Sequence, residues 1–567
     1  MLTGHALRLL HVATQAFQLG RSNRDDFRPR RWLVGPRNPN LAAWLLVFVG
    51  AIVVIIAAPD YGVAWDDSVQ TRFGALVLDY FLSAGQNRAC NELLDLRLYG
   101  PPVELLAAAA ARYAPDRLIE TRHLLCGLLA LLSVPALFRW GRLLGQPWLG
   151  VFSAVVLLLS PRFFGHAFLN SKDMPFAVGM TASLAALTAL LARRRYHWRE
   201  FIECGLLLGC TTAVRPGGWM LLGPLYLAGA FMADWQTRQR RSRRRARRTL
   251  LKQATMFGLA WLVMIACWPW AHESPLANPL QAIRMASKFH IVVPVLFEGR
   301  IVPSDSLPRY YLAKYLWITT PPWQLLLAAV GCVTVVARCW QSRTNGCRNP
   351  RRLVDGMLIV WLTLPLLLFA LLRPNAYDGI RHFLFVLPAL ALMASVGLQS
   401  VFLVMKRLRG GKLAGRIASV GVAAAIAWQV AVLATLHPYQ LAYFNGFVGG
   451  VAGASRRYET EYWMTSYGEA MRWINSQPRN ANGQPTRVLV AANENSLWCA
   501  SYFAGPRLEL TTTLQGDQPG DLPSSFDFYL GTTRTLMADN FPDAEICFRV
   551  NRAGADFAVV KRRKSLK

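Results

Sequence analysis

Long apolar runs separated by short polar segments dominate the chain. A helix needs about 20 mostly apolar residues to cross the hydrocarbon core of a bilayer. Eleven runs approach or reach that length, at residues 41–58, 121–141, 147–161, 175–192, 201–214, 218–234, 254–271, 322–338, 354–372, 383–404 and 417–436. This pattern predicts a mainly α-helical, polytopic membrane protein with about 11 transmembrane helices.

Three polar regions are too long to be simple connectors. Residues 59–120 carry apolar side chains at helical spacing, which predicts amphipathic helices able to lie on a membrane surface. Residues 272–321 are rich in proline and aromatic side chains. Residues 437–567 predict a small α/β domain, with strands over 488–492, 526–530 and 557–561 and a helix over 467–475. The chain thus divides into a basic N-terminus 1–40, a transmembrane module 41–436 with outer loops 59–120 and 272–321, and a C-terminal domain 437–567.

Charge orients this layout. The chain has 62 basic and 32 acidic residues, a net charge of +30. Residues 235–253 hold eight arginines and one lysine, whereas the loop 59–120 holds nine acidic residues. Because basic loops stay in the cytoplasm, we expect a cytoplasmic N-terminus and an extracytoplasmic C-terminal domain in the plasma (inner) membrane. The arginine run 238–248 is then a surface anchor, with binding of RNA or acidic lipid as the alternative.

The amino-acid composition further limits the class of protein. Hydrophobic residues make up 53% of the chain and charged residues 17%, which argues against a soluble enzyme. The glycine-rich stretch 448–454 lacks the Lys-Ser/Thr of a phosphate loop, so no nucleotide site is indicated. The basic excess is explained by topology and gives no reason to expect a nucleic-acid partner. Cys499 and Cys547 both lie in the outer domain and are either bonded to each other or free.

An acidic pair follows the first apolar run by about seven residues, in Trp65-Asp66-Asp67. Adjacent carboxylates repel each other, so a cation, a metal or hydrogen-bond donors must hold one of them. A carboxylate at the edge of a membrane cavity can act as a general base. The alternative is a solvated loop in which Asp67 caps the helix that follows.

Two further clusters lie at the outer ends of apolar runs. The first contains Arg162, His166, Lys172 and Asp173, where cations can hold a phosphate and Asp173 with His166 can bind a metal or act as a second base. The alternative is snorkelling of Arg and Lys at the interface. The second contains Tyr377, Asp378, Arg381 and His382 at the start of a late run, where a cation and a helix N-terminus favour an anionic substrate or a lipid headgroup.

Taken in order, the acidic pair, the flat helices after it, the Lys172-Asp173-Met174-Pro175 turn and the segment 377–382 resemble the C-type integral membrane glycosyltransferases. The likeness is greatest to the branch of protein O-mannosyltransferases and the lipid A aminoarabinose transferase. The resemblance implies a polyprenyl-phosphate-linked sugar as donor and an acceptor glycan, lipid or protein at the outer face. It implies inverting transfer with Asp66 as base.

The same resemblance assigns further roles. It pairs Asp66 with Asp67 in the catalytic acidic pair, although Asp67 stands where the family commonly has Glu. It implies that Arg381, His382 and Lys172 bind the donor phosphate. Asp173, His166, Tyr377 and Asp378 are left as candidates for the acceptor or for a divalent metal, and no cofactor is certain. The competing interpretations are a transporter or flippase for a lipid-linked or anionic solute, and a structural scaffold.

Overall fold

The structure is a computed structural model. It describes residues 38–193, 195–238, 243–286, 292–341, 350–407, 411–478, 484–515, 518–519 and 526–563. The basic N-terminus, except its last three residues, and part of the arginine run 238–248 lie outside the described residues.

Each of the eleven predicted apolar runs coincides with helix. The helices are Pro39–Ala57, Leu118–Leu131 with Ser133–Leu143, Pro147–Leu158, Asp173–Leu191, Trp198–Val214, Trp219–Arg238, Arg243–Ala266, Pro322–Gln341, Pro350–Leu372, Leu387–Arg407 and Gly411–Thr435. Proline stands first in several of them, where its missing N–H costs no helical hydrogen bond. Asn38 caps the first helix by accepting a 3.0 Å bond from the Asn40 N–H.

The number of clear spans is smaller than predicted. Within the described part of the chain, eight helices are long and apolar enough to cross a membrane. A ninth span results if Pro147–Leu158 and Pro161–Leu169, bent by 72°, are taken together. Helices Trp198–Val214 and Trp219–Arg238 are not among them. The first of these still packs within the bundle, because a Cβ on Gly209 would lie 2.8 Å from the Ala260 carbonyl oxygen.

The bundle has a buried centre and an apolar outside. Helix Asp173–Leu191 is almost wholly buried, as is the first half of Leu387–Arg407. The helices at both ends of the transmembrane region instead expose large apolar side chains, among them Trp44 and Trp428. An apolar exterior of this kind matches hydrocarbon rather than water as the surrounding medium. The protein is a polytopic membrane protein.

The outer regions fold as short helices and a hairpin. The first contains Asp67–Leu82, as predicted from its spacing, and Pro102–Ala111. The second contains Pro269–Glu273, Ala277–Ala286, Tyr311–Thr319 and an antiparallel hairpin of β1 (Pro294–Phe297) and β2 (Arg300–Pro303).

The C-terminal region is a small α/β domain, as predicted. Its helices are Gly450–Ala454, Tyr467–Ser476 and Glu494–Ser501. Its strands are β3 (Thr486–Val490), β4 (Leu508–Thr512), β5 (Leu514–Gln515), β6 (Gln518–Pro519), β7 (Phe528–Thr532), β8 (Glu545–Arg552) and β9 (Ala555–Arg562). The main sheet has the order β4-β3-β7-β9-β8, with β3 parallel to β4 and β7 and with β9 antiparallel to β7 and β8. Cys499 and Cys547 are free thiols.

This domain rests directly on the first outer loop. The Trp65 N–H donates to the Trp463 carbonyl at 2.9 Å, and the Tyr61 hydroxyl donates to Gln440 at 2.7 Å. The approach is close enough that a Cβ on Gly62 would lie 2.0 Å from the Thr465 carbonyl oxygen. The loop after the first helix and the tail after the last helix therefore lie at the same end of the bundle.

Candidate functional site

Asp66 stands at the junction of the first outer loop with the bundle. It is the residue before helix Asp67–Leu82, and its side chain is 39% exposed. Arg381, which begins a 3-10 turn at the head of helix Leu387–Arg407, donates to the Asp66 carboxylate at 3.1 Å. Asp66 thus has one exposed face and one face fixed by a guanidinium.

Arg381 is itself held on several sides. The Asp378 carboxylate lies 3.3 Å from its Nε. Its guanidinium lies over the Tyr377 ring at 4.5 Å and over the Trp463 ring at 5.5 Å. The late segment 377–382 is therefore in direct contact with Asp66 of the acidic pair, and its arginine, which the resemblance assigns to the donor phosphate, is shared between two carboxylates.

A second arginine reaches the same place from the C-terminal domain. Arg534 lies 3.2 Å from Asp378 and donates to the Tyr462 carbonyl at 2.7 Å. Its guanidinium is 5.4 Å from the Trp65 ring. We call Asp66, Asp378, Arg381 and Arg534 the outer cluster. No sequence pattern pointed to Arg534, because it lies in a domain whose docking depends on tertiary contacts.

These cations set the charge state of Asp66. Partial burial raises the pKa of its carboxyl, but Arg381, followed by Lys172 and Arg534, outweighs that effect and holds the pKa below its ordinary value. Asp66 is consequently ionised at neutral pH and able to accept a proton.

Asp67 has the opposite surroundings. It is buried, accepts a 2.8 Å hydrogen bond from the Ala64 N–H, and pairs with Arg122 at 3.2 Å. Burial raises the pKa of Asp67 to about 6 despite Arg122. The alternative that Asp67 caps the following helix does not hold, since it is the first helical residue and its carboxylate bonds backwards along the chain.

Arg122 is the centre of a second group of polar side chains. Its Nη1 lies 2.6 Å from Glu104, and its Nη2 donates to Ser171 at 2.7 Å and to Gln70. All of these residues are buried. We call Asp67, Gln70, Glu104, Arg122 and Ser171 the buried cluster. It joins both helices of the first outer loop to a span and to the turn before Lys172.

Lys172 lies between the two clusters and differs from the arginines around it. Its Nζ is 4.8 Å from the Tyr99 ring centre, and among the described residues no carboxylate oxygen lies within 4.0 Å of it. Burial lowers the pKa of Lys172 more than Glu104 and Asp66 raise it. Lys172 is thus a cation without an ion-pair partner in the described part of the chain.

Asp173 and His166 of the 161–175 segment are already engaged, whereas buried Arg162 donates, among the described residues, only through Nε, to the Tyr443 carbonyl at 3.2 Å. Asp173 is paired with Arg215 and accepts a 2.9 Å bond from Asn170. The His166 ring lies 3.0 Å from the Tyr462 hydroxyl through Nε2 and 3.3 Å from Asn170 through Nδ1. Arg215, which the sequence analysis did not select, thereby joins the site at the turn between two helices.

A groove of about 260 Å³ lies beside the outer cluster. Tyr377 and His382 line it with their rings 4.8 Å apart, and Tyr99 and Arg215 line it as well. Much of the remaining wall is apolar, formed by Leu98, Phe176, Met220, Leu221, Met285, Phe383 and Phe385. A polar end next to Arg215 and an apolar wall suit an amphiphilic ligand with an anionic head.

A divalent metal does not fit these side chains well. Within the described residues no group of three or more His, Cys, Asp or Glu is arranged to hold one. Asp66 and Asp173 each face a guanidinium, which would repel a second cation at the same oxygens. The reaction proposed for this site therefore uses side chains alone.

The comparisons with known proteins come from structure alone. No protein-family model matches the chain, and no curated protein matches it. ArnT from Cupriavidus metallidurans bound to undecaprenyl phosphate is 14% identical with a TM-score of 0.46, over 92% of this chain and 98% of that chain. Archaeal oligosaccharyltransferase AglB from Archaeoglobus fulgidus, in complex with an inhibitory peptide and a dolichol-phosphate, is 11% identical with a TM-score of 0.47 over 83% of this chain.

The match spans 64% of the AglB chain, and the apo form of ArnT has a TM-score of 0.48 at 14% identity. Such weak likeness assigns no reaction to this chain. The proposed function rests on the side chains of this protein.

Proposed function

We propose that the protein is a membrane glycosyltransferase. It moves a sugar from a polyprenyl-phosphate-linked donor to an acceptor at the outer face of the plasma (inner) membrane. The observation that carries this proposal is the difference between two adjacent carboxylates: Asp66 is ionised, partly exposed and fixed by Arg381, whereas Asp67 is buried against Arg122. Only Asp66 is placed to meet a substrate.

Asp66 acts as the general base. It takes the proton of the acceptor nucleophile, which attacks the anomeric carbon of the sugar from the side opposite the phosphate. The bond between that carbon and the phosphate oxygen breaks, and the polyprenyl phosphate leaves with the electron pair. A single displacement of this kind inverts the anomeric configuration.

Lys172 is the main cation for the departing phosphate in this proposal. Arg381 already balances Asp66 and Asp378, whereas Lys172 has no carboxylate partner among the described residues. A charge-assisted contact with the phosphate stabilises the charge that develops as the bond breaks. The groove lined by Tyr377, His382 and Arg215 continues from this point and would receive the first part of the lipid.

Charge and contact together support the proposed membrane orientation. The arginine-rich segment 235–253 favours a cytoplasmic position for its end of the bundle. The acidic loop 59–120 and the C-terminal domain share the other end, through the contacts of Trp65 with Trp463 and of Tyr61 with Gln440. Transfer would therefore take place on the extracytoplasmic side.

The test compares envelope glycans with and without the protein. Deleting its gene should remove one sugar modification, as measured by mass spectrometry, and should cause the donor lipid to accumulate. Wild-type protein and the Asp79→Asn variant should restore the modification, because Asp79 is exposed on the same helix as the acidic pair and far from Arg381. The Asp66→Asn variant should not. Full restoration by Asp66→Asn would exclude the proposed chemistry.

A further inference from the structure

A second and larger cavity lies in the C-terminal domain, outside the site described above. It is a groove of about 940 Å³. Its walls are the segment 452–460, the 3-10 turn Arg534–Asp539 and the β8–β9 hairpin. The turn Arg534–Asp539 also supplies Arg534 to the outer cluster, so the groove and the site share this segment.

The groove is lined by apolar side chains, such as Leu536, Ile546 and Val559, and by charged side chains that are paired and nearly balanced. Arg456 makes a two-pronged pair with Asp539, at 2.9 and 2.8 Å. Across the groove, Asp556 pairs with Arg549 and accepts a 2.9 Å bond from Asn551. Lys561 is the third basic residue of the lining, which has two acidic residues. Its Nζ donates a 2.6 Å hydrogen bond to the Asn540 carbonyl oxygen.

This arrangement favours a particular kind of occupant. Arg–Asp pairs and an amide present hydrogen-bond donors and acceptors side by side, which suits a ligand whose groups both donate and accept, as hydroxyls do. A polyanionic ligand is disfavoured because it would need cations that are not already paired. An apolar ligand is disfavoured because it would remove water from the paired charges without replacing its hydrogen bonds. A neutral, hydroxyl-rich saccharide needs no unpaired cation, and its hydroxyls can form hydrogen bonds with the paired charges.

One wall of the groove adjoins the outer cluster. Thr460 and Thr533 lie there with their hydroxyl oxygens 3.5 Å apart. The next residue, Arg534, turns inward to Asp378, which in turn contacts Arg381, the partner of Asp66. One face of a short segment thus borders the groove while its other face supplies a cation to the site.

That segment has an uncommon backbone. Thr535 has φ of 48° and Leu536 has φ of 64°, both in the left-handed region that residues with a side chain seldom adopt. Leu536 also lines the groove. Such a backbone conformation persists only where the surrounding structure holds it. Packing around the groove therefore fixes the position of Arg534.

We propose that this groove is the acceptor subsite and that it takes a saccharide-bearing acceptor. This inference rests on the proposed function. The saccharide occupies the groove between the Arg456–Asp539 and Arg549–Asp556 pairs, and the nucleophilic hydroxyl extends past Thr533 to Asp66. Arg534 then acts as a positioning residue that links a filled groove to Asp378 and Arg381.

Filling the groove tests the proposal. Ala452 is a small exposed residue of the lining, and an Ala452→Trp variant should block it. Ser501→Trp is the matched control, because Ser501 is exposed in the same domain and is not part of the lining. We expect Ala452→Trp to lower acceptor modification at least tenfold in cells, while the purified variant still binds undecaprenyl phosphate and keeps the melting temperature of the control. Unchanged modification would overturn the proposal.

The chemistry of the occupant is tested separately by a photo-crosslinking amino acid placed at position 452 in the full-length protein in membranes. Mass spectrometry of the adduct should detect saccharide. An adduct of peptide or lipid without saccharide would overturn it. The result also distinguishes failure of this inference from failure of the proposed function. A saccharide adduct in a protein that transfers no sugar would support saccharide binding in the groove and contradict the proposed function.

Discussion

The outer cluster and the buried cluster are built from the same chemical groups and behave differently. Each places two carboxylates around an arginine, and each begins at one member of the acidic pair. In the outer cluster Asp66 keeps an exposed face and a lowered pKa. In the buried cluster Asp67 is enclosed and has a raised pKa. Adjacent positions in the chain thus hold one partly exposed carboxylate, the proposed base, and one enclosed carboxylate, and they differ in burial.

The largest expected effect comes from removing the reactive carboxylate. Asp66→Asn should lower sugar transfer by about 10²–10⁴-fold, the usual contribution of a general base. Folding should be unaffected, because Asp66 is partly exposed and its replacement has nearly the same shape. Transfer activity and thermal unfolding, measured together with those of Asp79→Asn, check this. An equal loss in both variants would place the effect outside the acidic pair.

The buried cluster should fail in the opposite way. Arg122→Leu leaves Asp67 and Glu104 buried without their cation, which should cost about 3–5 kcal/mol of stability. The expected readout is a large fall in melting temperature and in yield from membranes. A variant that folds normally but transfers no sugar would show that Arg122 belongs to the reactive region instead.

Between the clusters, Lys172 should act on the lipid phosphate. Lys172→Met should weaken binding of undecaprenyl phosphate about 10–100-fold, since a charge-assisted contact is worth about 1.5–3 kcal/mol. Binding of undecaprenol, which lacks the phosphate, should not change. Lys314→Met is the matched control, because Lys314 pairs with Glu298 in the second outer region. Parallel weakening for the phosphate and the alcohol would contradict the assignment.

The smallest effect concerns pH. Because the pKa of Asp66 lies below its ordinary value, the base stays ionised and transfer should persist as pH falls towards the usual carboxyl range. In Arg381→Gln the effect of burial, which raises the pKa, is opposed only by Lys172 and Arg534. The acid limb of the rate profile should therefore move to higher pH, and Arg381→Lys should move it less. An unmoved limb would mean that Asp66 is not the titrating base.

Hydropathy alone predicted the helices of the bundle, because the length of an apolar run is set by the bilayer. It overcounted the clear spans at 201–214 and 218–234, where a short apolar stretch adjoins charged residues. Periodicity predicted helix Asp67–Leu82 and three strands of the main sheet. It missed both edge strands of that sheet, β4 and β8, whose partly exposed side chains give a weak pattern.

The site was predicted less completely, for a physical reason. Asp66 and Arg381 are 315 residues apart, and no pattern in the sequence indicated that they form an ion pair. Arg122 and Arg215 were missed because an arginine within or near an apolar run has the same appearance as an interfacial anchor. Arg534 was missed because it lies in the C-terminal domain, far along the chain from the other residues of the site. Their roles depend on which carboxylate the fold brings to them, and that is a tertiary property.

The most direct test of the account is a single-turnover reaction with purified protein and a sugar linked to polyprenyl phosphate. With acceptor present, wild-type protein should release one polyprenyl phosphate for each sugar transferred, and the product should have the inverted anomeric configuration. The Asp66→Asn variant should bind the donor and release almost none. Release by that variant at the wild-type rate, or a product with retained configuration, would contradict the account.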